Sequence, residues 1–326
     1  MTPIYLDNNA TTRTAPDLGV LQAVPERRHI VTSSVEHPSV LEVCKQLDVN
    51  GYRTTCLGVD RNGAIDLQEL EDSITTDTAI VSVMYANNET GVVFPIERIV
   101  EIVKSRDVPL HVDAVQAAGK LPLDMSKTPI DLLTLSGHKL HAPKGVGLLY
   151  LRRGTKIRPL IVGGGQERNR RSGTENIPFI AGFGAALDLA TQHNDTGNIR
   201  SLRNKLENAL LSSIPIAVRN GAAEPRLPNT SNLSFEGLEG EAILLMMDEA
   251  GICASSGSAC STGALEPSHV LKAMGVPASL ARGSVRFSLS RYTSEADIDR
   301  VIEEVPRIIR RLSNLSSSPG ASGAAS

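Results

Sequence analysis

Short apolar runs recur through the first half of the chain, at Ile30–Val31, Ala79–Met84, Pro109–Val112, Leu132–Leu135 and Val146–Leu151, with segments of helical periodicity between them. Such runs, bounded by polar turns, predict buried strands, and their alternation with helices predicts an α/β fold with a mainly parallel sheet covered by helices. Two of the helices can be placed closely. Pro95 suits a first helical position, after which Ile96, Ile99, Val100 and Val103 share one face. Asp66 suits an N-cap, with Glu69 spaced to close a capping box and Leu67, Leu70 and Ile74 on the buried side.

Beyond Gly163-Gly-Gly165 and the basic loop Gln166–Thr174 the pattern shifts to longer helices. The Ala- and Gly-rich run Ile177–Ala190 suits close packing against a neighbour, in the chain or across a subunit boundary. Leu202, Leu206 and Leu210 mark a further helix and Ala242–Met247 another. Ile298, Val301, Ile302 and Val305 mark a third, which Ser294 and Asp297 can cap and Pro306 should kink or interrupt. A domain boundary is expected near Asn194–Gly197. Residues 16–195 would form a large domain, and 1–15 with 196–312 a smaller α+β domain. Ser313–Ser326, which is Ser, Gly and Ala without periodicity, would be a disordered tail.

With 326 residues, 41% of them hydrophobic, the chain can bury a core large enough for two domains. A net charge of -3 offers no basic field for nucleic acid or an anionic membrane. No run approaches a membrane span, and Met1–Asp7 lacks the regions of a signal peptide, so a soluble cytoplasmic protein is expected. The four cysteines, Cys44, Cys56, Cys253 and Cys260, form no CxxC pair and no metal-ligand spacing, which argues against a disulfide framework or a zinc site.

Candidate chemistry gathers where strands end. Leu132-Leu-Thr-Leu-Ser-Gly-His-Lys139 is an apolar strand followed by a polar turn ending in lysine, with a second apolar strand from Gly145 to Leu151. A lysine carried into the interior by such a turn would lose hydration, and its neutral amine could attack a carbonyl. His111-Val-Asp-Ala-Val-Gln116 sets Asp113 and Gln116 past the carboxyl end of another strand, where open α/β sheets bind ligands. Asn87-Asn88 ends a third with amides suited to a ring hydroxyl, and Ser34-Val-Glu-His37 ends a fourth with an imidazole able to stack on a planar ring. Taken singly, each group is also what a turn or helix cap would carry. Together, with the lysine, they are most economically explained by pyridoxal phosphate, whose phosphate Ser136, His138 and Thr174 could hold.

The carboxy-terminal part adds a thiol and two guanidiniums. Ala254–Gly263 is a stretch of small residues with Cys260 near its middle, a setting that favours an accessible thiol. Arg286 lies in an alternating, strand-like segment and could grip a substrate carboxylate bidentately, while Arg291 suits a structural ion pair equally well.

In combination, Tyr5-Leu-Asp-Asn-Asn-Ala-Thr-Thr, Asn87-Asn-Glu-Thr-Gly, His111-Val-Asp-Ala-x-Gln, Ser136-Gly-His-Lys, Arg171-Ser-Gly-Thr-Glu-Asn, Gly257-Ser-Ala-Cys and Arg286-Phe-Ser-Leu resemble the cysteine desulfurases, fold-type I pyridoxal-phosphate enzymes of the class V aminotransferase group. The resemblance runs from Tyr5 to about Arg311. It implies that Lys139 carries the cofactor, Asp113 pairs with its pyridine nitrogen, Gln116 and Asn88 contact its ring hydroxyl, and His37 stacks on the ring. Ser136 and His138 would bind the phosphate, joined by Thr174 from the partner subunit of a homodimer. The implied reaction converts L-cysteine to L-alanine, with Arg286 and Asn88 holding the substrate and the sulfur left as a persulfide on Cys260. The sulfur would pass to an acceptor such as an iron–sulfur scaffold protein, with which Cys260 could share a cluster; no other metal is implied. One stretch departs from the family. Between Leu18 and Arg28 the family has several dozen further residues, holding a helix, a strand and a Gly-Thr turn that anchors the phosphate, where this chain has only Gly19–Arg27. Two other readings follow: a shortened, inactive form that acts only as a binding or dimerisation partner, and a hydrolase using Cys260 with His269.

Overall fold

The computed structural model describes residues 15–192, 196–256 and 267–316. The chain divides into two compact units. The first runs to Asn194 apart from two short segments, Asp60–Gly63 and Glu89–Val92, which belong to the second together with everything from Asp195 onward.

The first unit is built on a six-stranded sheet. Its strands are β1 (His29–Ser33), β2 (Arg53–Leu57), β3 (Thr78–Met84), β4 (Leu110–Asp113), β5 (Leu132–Ser136) and β6 (Gly147–Leu151), in the order β2-β1-β3-β4-β5-β6. All neighbours are parallel except β6, which returns antiparallel to β5. Every residue of β1 and β3 is buried, which is why those strands are apolar or carry only partnered polar groups. His29, fully buried in β1, bonds Thr78 Oγ1 at 2.8 Å through Nδ1 and Thr55 Oγ1 at 2.9 Å through Nε2. β2 escaped the hydrophobic pattern because it is an edge strand, with Leu57 its one buried residue.

Helices α1 (Ala15–Ala23), α2 (Pro38–Val49), α3 (Leu67–Ser73), α4 (Ile96–Ser105), the short α5 (Gln166–Asn169) and α6 (Ile177–Gln192) complete this unit. α1 occupies the stretch where the family resemblance breaks. Its Val20 and Leu21 pack with Ile30, Val40, Val43, Ile80 and Leu132, so the short connection closes over the sheet. In α4 the four apolar residues are buried as the periodicity requires, with Pro95 at the N-cap. Asp66 caps α3 through Gln68 N at 2.8 Å and Glu69 N at 3.3 Å. The expected capping box does not close, because the Glu69 carboxylate accepts instead from Gly58 N at 3.3 Å. Opposite β2, the other edge is thinly covered. Leu148 and Leu149 of β6 are 39% and 38% exposed, and Leu160, Ile161, Val162, Ile177 and Ile180 are also exposed.

The second unit holds an antiparallel sheet of β7 (Ala217–Arg219), β8 (Thr230–Phe235), β9 (Ser255–Ser256) and β10 (Ser284–Ser288), ordered β7-β8-β10-β9. With it are α7 (Thr196–Ser213), α8 (Gly240–Glu249), α9 (His269–Ala273), α10 (Ala278–Ala281) and α11 (Glu295–Ser316). Leu202, Leu206 and Leu210 of α7 meet Leu233, Phe235, Val285, Ile298 and Val305 in one core. At the start of α11, Ser294 N donates to Asp297 Oδ2 at 2.8 Å and Asp297 N to Ser294 Oγ at 3.2 Å, the reciprocal cap expected there. The expected interruption at Pro306 is absent. α11 runs through the proline as one element, with Val305 and Ile309 buried on either side of it, so packing on the core outweighs the lost backbone bond. It also continues through Ser313–Ser316, which were expected to start a disordered tail. Among the described residues no helix is long and apolar enough to cross a membrane.

Candidate active site

In a parallel sheet all carboxyl ends face one way, so the polar residues that follow β1, β3, β4 and β5 meet along one rim of the first unit. After β1, His37 is the N-cap of α2. Its Nδ1 accepts from Ser39 N at 3.2 Å and lies 2.8 Å from Ser39 Oγ, so the neutral ring carries its proton at Nε2 and is held by the Nδ1 edge. Beside it Glu36 is fully buried. Its Oε1 accepts from Ser33 Oγ at 2.5 Å and Met84 N at 2.9 Å, tying the end of β1 to the end of β3. After β3 the half-buried Asn88 follows the buried Asn87, whose Nδ2 donates to Val35 O at 3.1 Å.

Asp113 ends β4 half-buried, with Oδ1 accepting from Val115 N at 2.9 Å, which fixes the carboxylate in the turn. Behind it, His111 Nδ1 lies 2.8 Å from Ser82 Oγ and Nε2 lies 3.2 Å from Thr134 Oγ1, a buried polar bridge across β3, β4 and β5. Gln116 follows in the same turn, where its Oε1 accepts from Lys120 Nζ at 3.0 Å. Lys120 was not singled out by the sequence pattern, although its spacing of four from Gln116 makes the contact local.

After β5 the chain makes a single 3-10 turn, Gly137–Leu140, and Ser136 Oγ lies 2.7 Å from His138 Nδ1. A Cβ on Gly137 would come within 2.8 Å of Val146 Cγ1, so only glycine lets the turn pass this close to the residue leading into β6. The structure corrects one expectation here. Lys139 is exposed, because the turn sends Gly137 and Leu140 inward and His138 and Lys139 outward. Burial therefore does not desolvate this amine as the sequence pattern suggested. Partial burial, then the charges of Lys139, Lys144 and His37, hold the His138 imidazolium below its ordinary range.

Thr174 lies in the exposed loop between α5 and α6. Among the described residues no hydrogen bond joins it to Ser136 or His138. In the second unit Arg286, half-buried on β10, stands in register with Asn232 of β8 and Ser255 of β9. Cys260 and Tyr5–Thr12 lie outside the described residues. So does any pairing of Cys260 with His269, which is the first residue of α9. Of the other cysteines, Cys44 is buried, and burial followed by the Asp48 and Glu36 charges pushes the Cys56 thiol up, which suppresses the nucleophilic thiolate. No group of three or more metal-ligating side chains occurs among the described residues.

These donors suit pyridoxal phosphate. His138 offers an imidazole and Ser136 a hydroxyl to a phosphate, Lys139 an amine for an aldehyde, and Asp113 a fixed carboxylate for a protonated pyridine.

Comparison with known proteins accounts for the arrangement. Residues 17–301 match the family model for class-V aminotransferases. The chain is 57% identical over 311 residues to a cysteine desulfurase of Nostoc sp., covering 95% of this chain and 76% of that protein. It is 53% identical over 301 residues to the cysteine desulfurase NifS of Azotobacter vinelandii, covering 92% and 75%. Among solved structures a NifS-like protein superposes with a TM-score of 0.84 at 37% identity, over 90% of this chain and 78% of that one. The chain thus spans about three quarters of the length of these relatives. A parallel sheet whose strand ends carry His37, Asp113 and the Ser136–Lys139 turn, with matches of this extent, places the chain in the class-V aminotransferase family, among its pyridoxal-phosphate-dependent cysteine desulfurases.

Proposed function

We propose that the chain acts as a homodimeric cysteine desulfurase in the cytoplasm, converting L-cysteine to L-alanine by way of a persulfide on Cys260 and passing the sulfur to an iron–sulfur scaffold or another acceptor. The observation that carries the reading is the set of strand-end groups on one sheet: His37 after β1, Asp113 at the end of β4 and Ser136-Gly-His-Lys139 after β5. When bound, pyridoxal phosphate supplies an electron sink for charge developing on the substrate. Lys139 is the residue to which it attaches, Ser136 and His138 hold its phosphate with Thr174 of the partner subunit, and Asp113 keeps the pyridine nitrogen protonated. Gln116 and Asn88 bond the ring hydroxyl.

The chain's own residues do the rest. Arg286 grips the substrate carboxylate, aided by Asn88. His37, with Nδ1 committed to Ser39, moves a proton at Nε2. The Cys260 thiolate bonds to the substrate sulfur as the carbon–sulfur bond breaks with its electron pair left on carbon. That carbon takes up a proton to give alanine, and the sulfur stays on Cys260. A free thiol nucleophile needs a reducing compartment, in keeping with Cys44, Cys56 and Cys253 forming no disulfide among the described residues. The open β6 edge and its exposed leucines support a subunit contact. The test is cysteine-dependent alanine release with persulfide on Cys260, measured in wild type and Cys260→Ala. Stoichiometric alanine from wild type alone supports the reading, and equal release from both proteins refutes it.

A further inference from the structure

Glu89 has no place in the reaction as derived above, although it belongs to the Asn87-Asn-Glu-Thr-Gly91 motif and is only 4% exposed. Segment Glu89–Val92 is part of the second unit. It is fastened there by Leu227 N donating to Gly91 O at 2.7 Å and Asn232 Nδ2 donating to Glu89 O at 3.2 Å. Asn232 is the residue that faces Arg286 across the β8–β10 pair. The Glu89 carboxylate accepts from Ser268 Oγ at 2.5 Å, and the Arg286 charge acts on it. Ser268 in turn caps α9, accepting from Val270 N at 3.1 Å and Leu271 N at 3.4 Å. Burial makes ionising this carboxyl costly, so a glutamate met there by the Ser268 hydroxyl and the Arg286 charge is more than packing requires.

We infer that Glu89 is a positioning residue: anchored by Ser268 and Asn232, its carboxylate fixes the guanidinium of Arg286 in the orientation that receives the substrate carboxylate. The inference rests on the proposed role of Arg286. A long, half-buried arginine has many rotamers, and an anion held on one side of a planar fork removes most of them while leaving donors for a second carboxylate. Ordering one such side chain in advance is worth roughly two- to tenfold in affinity. The opposite effect must be weighed, since Glu89 is also a negative charge near the site. If it were only an electrostatic neighbour, removing it would tighten the binding of an anionic substrate. The two roles therefore predict opposite signs.

The test is calorimetric binding to the cofactor-loaded protein of two probes that carry no sulfur, L-serine, which has the free carboxylate, and L-serinamide, which does not. Burial, against the Ser268 bond and the Arg286 charge, pushes the Glu89 carboxyl up to about 7, so measurement at pH 8.5 keeps it ionised. Glu89→Gln should weaken L-serine by about two- to tenfold, leave L-serinamide unchanged, and have no further effect in an Arg286→Ala background. Glu89→Asp, which keeps the charge but shortens the reach, should show a smaller loss and serves if the glutamine variant does not fold. Equal losses for both probes, no change, or tighter L-serine binding would overturn the inference. A wild-type protein with no preference for L-serine over L-serinamide would instead refute the role given to Arg286, and this assignment with it.

Discussion

The Ser136–Lys139 turn and the Glu207–Arg226–Ser231 cluster are both knots of polar side chains beside a strand, and they are built in opposite ways. In the second unit, Arg226 of the loop before β8 donates to both oxygens of Glu207 on α7, at 2.6 and 2.5 Å, and Ser231 Oγ adds a third bond at 2.7 Å. Glu207 and Arg226 are each almost fully buried. Burial alone would raise the Glu207 carboxyl, but the Arg226 and Ser231 bonds and the charges of Arg226 and Arg219 bring it below its ordinary range. In the Ser136–Lys139 turn Ser136 Oγ lies 2.7 Å from His138 Nδ1, and His138 and Lys139 face outward. Donors already satisfied inside the protein have nothing left for a ligand, whereas exposed donors cost little to keep and remain available. The Glu207–Arg226–Ser231 cluster thus serves stability, while the Ser136–Lys139 turn presents its side chains outward, where a ligand can meet them.

Breaking the buried cluster should give the largest effect. Glu207→Ala leaves Arg226 charged and unpaired in the interior and should cost about 3–5 kcal/mol in denaturant unfolding, with activity per folded molecule preserved. Next is the pH dependence tied to Glu89. Its folded value, raised from 4.5 to about 7, means that the stability from burying a neutral carboxyl is present below about pH 4.5 and is lost as pH rises through 7. Stability of the wild type relative to Glu89→Gln should fall by up to about 3 kcal/mol between pH 4.5 and 8, read from urea midpoints at each pH. A smaller effect tests the exposed cluster: Ser136→Ala should weaken pyridoxal phosphate by about fivefold, near 1 kcal/mol, without moving the melting temperature. Smallest of all, Leu149→Lys on the open face of β6 should change monomer stability by less than about 0.5 kcal/mol, read from urea midpoints of the dissociated subunit.

The same contrast explains what the sequence made legible. His37, Asp113 and Lys139 could be placed at strand ends because each lies at or just after a short apolar run, and such a run announces a strand end. The helix face of Ile96–Val103 and the Ser294–Asp297 cap were legible for the same reason, since their partners are three or four residues away. Glu36 and Glu89 were not. They bond Met84 and Ser268 across separations of 48 and 179 residues, and no local pattern carries that information. Strand β2 was missed because its edge position asks for little apolar surface. Pro306 misled because its local cost is real but smaller than the burial of the helix around it. The exposure of Lys139 could not be foreseen either, because it depends on which way a four-residue turn winds.

The central claim is that the amine ending the turn after β5 is where the cofactor attaches. Protein loaded with pyridoxal phosphate, reduced with borohydride and mapped by mass spectrometry should carry one pyridoxyl group, on the peptide containing Lys139 and on no other. A label confined to Lys120 or Lys144, or no label at all, would contradict it.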